Sequence, residues 1–244
     1  EGFNGYVRGL SGFYGLEPNH RELPYSDQRV RRATSLCLDR LELTNDLMKG
    51  MLNPGAQIWG SAHEGKDPDG RQITDVYDPE LGMELLAEAG YEDGLTIDFY
   101  AYRDREYAEA ITSYLNAVGI DTNFKMLQYS ALREQNMKGE TAVSFQTWGS
   151  YSINDASAMV SQFFKHGSLD YAMDDETLEY LNTADSSTDP EVRKENYSKA
   201  IERITEEAYW APMFSYNTNY VTTNEVDYTP TADEVLRFTT ASWK

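Results

Sequence analysis

Between Asp78 and Trp148 the hydrophobic period switches repeatedly between that of a helix and that of a strand, and few architectures satisfy such a pattern. Asp78 and Pro79 offer an N-cap and a first-turn proline. Leu81, Leu85, Leu86 and Ala89 follow at helical spacing and Gly90 supplies a stop, which predicts a helix over 79–89. Leu95, Ile97, Phe99 and Ala101 then alternate with polar or tyrosine positions, as in a strand with one covered face. The pattern continues as a helix over 104–118, a strand over 120–127, and a short helix capped by Ser130 and closed by Gly139. A third strand carries Val143, Phe145 and Thr147 and delivers Trp148 at its end. Such alternation packs helices on a sheet, so the fold class is α/β.

The flanks are less regular. Residues 1–23, rich in Gly, Tyr and Asn, read as an extended entry segment. Ser26 and Asp27 are candidate caps for a helix through Lys49, with Val30, Ala33, Cys37, Leu41 and Leu47 or Met48 as its apolar stripe and the arginines mainly outside it. Residues 50–77 read as a long irregular connection, a feature often functional in a compact domain. Beyond Trp148, helices are expected over 155–165, 175–184 (capped by Asp174) and 190–208 (Asp189 as cap, Pro190 at the first position). Residues 210–221 are aromatic and strand-like, and the remainder to Lys244 is extended. The single Cys37 excludes an internal disulfide framework and reads as a buried, inert thiol.

Acidic side chains outnumber basic ones by 41 to 21, a net charge of −20 with the histidines neutral. Without a basic face the chain is no nucleic-acid or anionic-membrane binder. It has no run of roughly 18–20 apolar residues, and no leader-like segment at its start; a leader in a longer precursor stays open. His20, His63 and His166 are scattered, and no nucleophile elbow, phosphate loop or dinucleotide fingerprint is present. Asp67, Asp69 and Gly70 read as a surface turn rather than a calcium loop. No catalytic residue, metal ligand or cofactor is therefore assigned. The run WGSYSIND is more informative, because it places Trp148, Ser150, Tyr151 and Asp155 just after an apolar strand and before a helix, where open α/β sheets bind ligands. The competing reading is a turn with a buried Trp and a capping Asp. Tyr102 and Arg103 end the neighbouring strand and join the candidate ligand-binding set.

Four ordered blocks carry a resemblance. PYSDQRVRRATSLCLDR (24–40), VYDPELGMELLAEAGY (76–91), AEAITSYLNAVGIDTNF (108–124) and the strand end at Trp148 and Gly149 resemble, in order, segments of the family 5 extracellular solute-binding proteins, the peptide, nickel and opine receptors of ABC importers. Gly82 stands where that family usually has alanine.

The resemblance implies a periplasmic-binding-protein-like fold (type II, dipeptide-binding-protein-like), here a second lobe with a mixed sheet flanked by helices. It further implies capture of a peptide or other small solute between two lobes, delivery to a membrane permease, no catalysis, and a periplasmic or extracellular location, membrane-anchored in some full-length forms. On this reading residues 1–23 cross over from a first lobe that is missing here, 24–209 form the second lobe, and 210–244 return toward the first. The tail, with Phe214, Tyr220, Leu236, Phe238 and Trp243, is then expected to be bare or covered by self-association. Peptide-binding members carry an Asp three residues after the Trp to hold the peptide amine; here that residue is Tyr151, which leaves opines, glycosides and other small solutes open. Asp155 lies where the family often has a second, helix-capping Asp. The rival readings are a hydrolase and a non-transport sensor module on the same scaffold.

Overall fold

A computed structural model of the chain describes residues 2–55, 77–149, 153, 155–231 and 235–244. The irregular connection expected over 50–77 lies mostly outside these residues, as do His63, Asp67, Asp69 and Gly70.

The alternating segment folds as its periodicity predicts. Helix α3 (Pro79–Glu88) is capped by Asp78, whose side chain accepts from Leu81 N. Strand β3 (Leu95–Ala101), helix α4 (Arg105–Ala117), strand β4 (Ile120–Met126), helix α5 (Tyr129–Lys138) and strand β5 (Val143–Gly149) follow. The three strands are mutually parallel, with β3 between β4 and β5. Helix α5 begins at Tyr129, two residues earlier than a Ser130 cap would place it, and no side chain caps it. Beyond β5, α6 is a single short turn (Ser157–Val160) rather than a helix over 155–165, because irregular turns follow it. Helices α7 (Asp175–Ser186) and α8 (Pro190–Glu206) carry the expected caps, Asp174 and Asp189.

The entry segment does more than lead in. It forms a 16-residue strand, β1 (Phe3–Pro18), which runs antiparallel to β5 on one side and to β6 (Ala211–Thr223) on the other. With the short β2 (Asn53–Pro54) the order among the described residues is β2-β6-β1-β5-β3-β4, a mixed sheet. Residues Phe3–Gly9 of β1 pair with Asn217–Thr223 of β6 beyond the reach of β5, so this end is a two-stranded ribbon. A separate pair, β7 (Val226–Tyr228) and β8 (Ala241–Trp243), sits beyond it. In the tail, Phe214 is buried in the core and not bare as expected, because β6 begins inside the sheet; Leu236, Phe238 and Trp243 are exposed.

Each face of the sheet has its own apolar core, which follows from strand alternation. Tyr14, Leu16, Phe99, Phe145 and Phe214 pack with residues of α1 (Gln28–Leu36), α3 and α4, whereas Phe13 packs with Phe163, Trp210 and residues of α6 to α8.

The helix expected from Asp27 to Lys49 is interrupted. Helix α1 ends at Leu36, and α2 (Arg40–Glu42) restarts under an Asp39 cap and runs into a π turn, Leu43–Leu47. The arginines are also not all outside. Arg31 and Arg40 are buried and donate to backbone carbonyls of Tyr25, Ser26 and Glu207, and of Ser35, Leu38 and Pro212, respectively. A guanidinium can be buried when several carbonyls share its donors.

Cys37 is buried, and burial pushes its thiol up to about 12, the inert state expected. It also explains Gly82, since a Cβ there would collide with Cys37 Sγ. Gly82→Ala is expected to cost ~1–3 kcal/mol by overpacking, although alanine is favoured by about 1 kcal/mol in an unobstructed helix. In urea unfolding, Cys37→Ala should rescue Gly82→Ala. Additive costs in the double mutant would refute the steric account.

Candidate functional site

Because β3, β4 and β5 are parallel, their C-terminal ends meet at one edge of the sheet, where α4 and α5 begin. Ligands bind at such an edge in open α/β sheets. Tyr102 follows β3, and its hydroxyl lies 2.5 Å from Thr147 Oγ1 on β5. Trp148 is the next residue on β5, so the structure brings these two sequence-predicted residues to neighbouring strand ends.

Trp148 is half-buried and braced. Its Nε1 donates to Ala158 O at 2.9 Å, and Phe163 meets its ring edge-on at 5.0 Å between centroids. This fixes the indole without covering it completely. Arg103 is exposed, with Nε donating to Asp104 Oδ2 at 2.6 Å and the guanidinium 5.8 Å from the Tyr14 ring. Asp104 also accepts from the Tyr14 hydroxyl at 3.1 Å and adopts the left-handed conformation (φ 48°) that turns the chain from β3 into α4. Ser150 and Tyr151 lie outside the described residues.

Asp155 is committed elsewhere. One carboxylate oxygen, Oδ1, accepts from Ser157 N at 2.9 Å and from the Tyr197 hydroxyl at 3.4 Å, and the other, Oδ2, accepts from Arg193 on α8. Burial alone would push its carboxyl up, but the Ser157 hydrogen bonds and the Arg193 guanidinium outweigh it and hold the group below the usual carboxylate range. Its partners are those of a local cap and an internal ion pair.

Two residues of this edge were not singled out in the sequence. Tyr129, in the first turn of α5, packs its ring 5.0 Å from that of Tyr102, and Arg133, one turn later, lies 5.7 Å from the Trp148 ring. Tyr102 with Tyr129 and Arg133 with Trp148 are thus two contacting pairs at this edge, linked by the one-turn spacing of Tyr129 and Arg133 on α5. The available signal was their four-residue spacing on a helix that starts at the same sheet edge as Trp148.

Beneath this edge, Glu17 on β1 is fully buried. Its Oε2 accepts from Gln146, Ser144 and Asn136, and its Oε1 has no hydrogen-bond partner among the described residues. Burial pushes this carboxyl up to about 8, against the opposing pull of Arg133, Gln146, Ser144 and Arg21. Among the described residues, no group of three or more His, Cys, Asp or Glu is placed to hold a metal ion. No helix there is long and apolar enough to cross a membrane.

Comparison with known proteins agrees with this architecture. The chain is 25% identical over 224 residues to heme-binding protein A of Haemophilus influenzae, covering 84% of this chain and 39% of that protein. It is 23% identical over 225 residues to the periplasmic oligopeptide-binding protein OppA of the same organism, covering 86% of this chain and 41% of OppA. It therefore spans about two fifths of the length of these relatives. Among solved structures it resembles HbpA2 from Haemophilus parasuis, with a TM-score of 0.87 at 19% identity over 99% of this chain and 50% of that one. It also resembles the periplasmic binding protein DppA from Helicobacter pylori in complex with the peptide STSA, with a TM-score of 0.88 at 19% identity over 99% of this chain and 49% of that one. These likenesses identify the fold as that of periplasmic binding proteins. Residues 3–171 match the bacterial extracellular solute-binding proteins, family 5 (middle region), and with more than half of its length so matched the chain belongs to that family.

Proposed function

We propose that the chain is a ligand-binding lobe of the solute-binding component of an ABC importer, which captures a peptide or other small polar solute and delivers it to a membrane permease outside the cytoplasm. The observation that carries this reading is the set of contacting pairs, Tyr102 with Tyr129 and Arg133 with Trp148, at the C-terminal ends of parallel strands, rigid aromatic surface beside polar donors. Ser150 and Tyr151, next along the chain, are proposed to complete this wall, with Arg103 at its rim and Asp155 holding the backbone behind it. Relatives named for haem, oligopeptides and di- or tripeptides bound the solutes to be tried first.

The opposing wall is proposed to belong to a first lobe. The β1/β6 ribbon, which extends beyond β5, is a suitable connection, and Phe3 and Val221 on it, with Phe238 and Trp243 near the C-terminus, are 69–78% exposed. Residues 24–209 would then be the second lobe, with 1–23 and 210–244 as the two crossings, although both crossings also contribute strands to this sheet. A cleft ligand draws contacts from both walls, so residues 1–244 alone should bind orders of magnitude more weakly than a two-lobed protein.

Two substitutions test the wall. Trp148→Ala should weaken binding of a solute found by a melting screen of haem and di- to pentapeptides by ~1–3 kcal/mol, with a smaller loss of stability. Asp155→Ala should do the reverse, costing ~1–3 kcal/mol of stability through the lost cap and the stranded Arg193. If calorimetry shows Asp155→Ala abolishing affinity at an unchanged unfolding midpoint, Asp155 is a direct ligand group and the assignment of the wall fails.

A further inference from the structure

Helix α6, four residues long, is too short to hold itself in place, since a single turn fixes several residues for one hydrogen bond. Its position is set by its neighbours. Met159 and Val160 are buried in the core of this face, and polar ties hold the chain on either side. Ahead of α6, Asp155 accepts from Arg193 and, at 3.4 Å, from the Tyr197 hydroxyl, both on α8. Behind it, Ser161 donates to Asp185 Oδ2 on α7 at 2.9 Å, and Lys165 donates to the same oxygen at 2.9 Å. The two ties meet at Tyr197, which is buried: its hydroxyl donates to Asp185 Oδ1 at 2.6 Å and accepts from Arg193 at 3.1 Å. Two carboxylates, Asp155 and Asp185, face two cations, Arg193 and Lys165, so the cluster is neutral within itself and its work is internal. What it holds is a carbonyl. Ala158 O, in the middle of α6, accepts from Trp148 Nε1 at 2.9 Å.

We propose that Asp185 and Tyr197 are positioning residues for the solute site: by tying α6 at both ends they fix the carbonyl that orients the Trp148 indole at the cleft wall. This rests on the cleft reading above. Neither residue meets the solute. A half-buried indole N–H follows its acceptor, because leaving it unpaired is costly, so a loosened α6 reaches the strand end as a change in the indole plane. Phe163, which meets the same ring edge-on, comes two residues after Ser161 and moves with that tie. The packing of α7 on α8 has apolar support of its own in Leu181, Ala184, Ala200 and Ile201. The other donors to Asp185, Ser161 and Lys165, both come from the segment that follows α6, which is why its action is directed at Trp148.

The test uses 15N-labelled chain, residues 1–244, and compares Tyr197→Phe, Ser161→Ala and the double variant with the parent. Hydrogen exchange of the Trp148 Nε1–H, assigned with Trp148→Phe, reports the tie to α6, and the backbone amides of β3 report global stability. Each single variant should speed indole exchange ~3- to 10-fold, as for loss of one hydrogen bond, with a smaller change at β3. Because both substitutions act through Asp185, the double variant should exchange no faster than the faster single one. Affinity for haemin or trialanine, whichever the parent binds, should fall ~3- to 10-fold in the same variants. If indole and β3 amides accelerate equally, or the two single effects multiply in the double variant, the cluster serves general stability and the inference is overturned. If the indole accelerates while affinity holds, and Trp148→Ala still weakens binding, the positioning role is overturned and the cleft stands. If Trp148→Ala leaves affinity unchanged as well, the cleft reading fails and this inference with it. The exchange comparison needs no ligand, so it decides alone where neither probe binds.

Discussion

Replacing Arg40 by methionine is expected to lower the unfolding free energy by ~3–5 kcal/mol, among the largest effects of any single substitution in this chain. The side chain is 5% exposed and sits where three segments meet. Its Nε donates to Pro212 O at 2.7 Å, Nη1 to Ser35 O at 3.0 Å and Leu38 O at 3.3 Å, and Nη2 to Ser35 Oγ at 2.8 Å. It thus closes the interrupted C-terminal end of α1, where carbonyls lack helical partners, and ties that end to the start of β6. Methionine fills much of the volume but removes the donors to Pro212 O and Leu38 O in the interior, which is the expensive case. Lysine should restore little, because one ammonium cannot reproduce the planar fork. Urea unfolding with an unchanged m-value is the appropriate measurement. A loss below ~1 kcal/mol would show that solvent replaces the guanidinium, and that it is not the clamp described here.

The second large effect depends on pH and comes from Glu17. Its folded-state pKa is raised from 4.5 to about 8. Below 4.5 the carboxyl is protonated in both states, so it contributes no pH dependence there. Between 4.5 and about 8 the unfolded chain loses the proton while the folded chain keeps it, so stability falls as pH rises across that window and levels off above it. The slope approaches ~1.4 kcal/mol per pH unit for one such group. Glu17→Gln removes it. The variant keeps an acceptor for Asn136, Ser144 and Gln146 and places its amide nitrogen where Oε1 has no hydrogen-bond partner among the described residues, at a cost of ~1 kcal/mol. It should therefore be no more stable than the parent at pH 5 and more stable by roughly 2–4 kcal/mol at pH 8.5. The difference between the two proteins isolates this residue from the other 40 acidic side chains. Parallel stability profiles from pH 5 to 9 would mean that Glu17 is ionised in the folded state, with Arg133 as its counter-ion.

The sequence by itself determined the parts governed by local physics. Caps at Asp27, Asp78, Asp174 and Asp189, each accepting from a first-turn amide, were legible because a short acidic side chain before an apolar stripe has few other uses. The three strands were legible because their apolar residues recur at alternate positions in the sequence and each strand is set off from the next by a helical stripe. Trp148 and Tyr102 could be placed at one edge for the same reason: parallel strands joined by helices end together. Only the tertiary structure decided the rest, where the partners lie far apart in the chain. Strand β1 shows no clean period, since Phe13 enters one core while Tyr14 and Leu16 enter the other, so both faces are covered and the alternation is erased. Its insertion between β5 and β6 depends on pairings more than 100 residues distant, such as Phe13 with Trp148 and with Ser215. The burial of Arg31, Arg40 and Glu17, the collision that keeps position 82 a glycine, and the approach of Tyr129 to Tyr102 and of Arg133 to Trp148 are likewise properties of neighbours that no local spacing encodes.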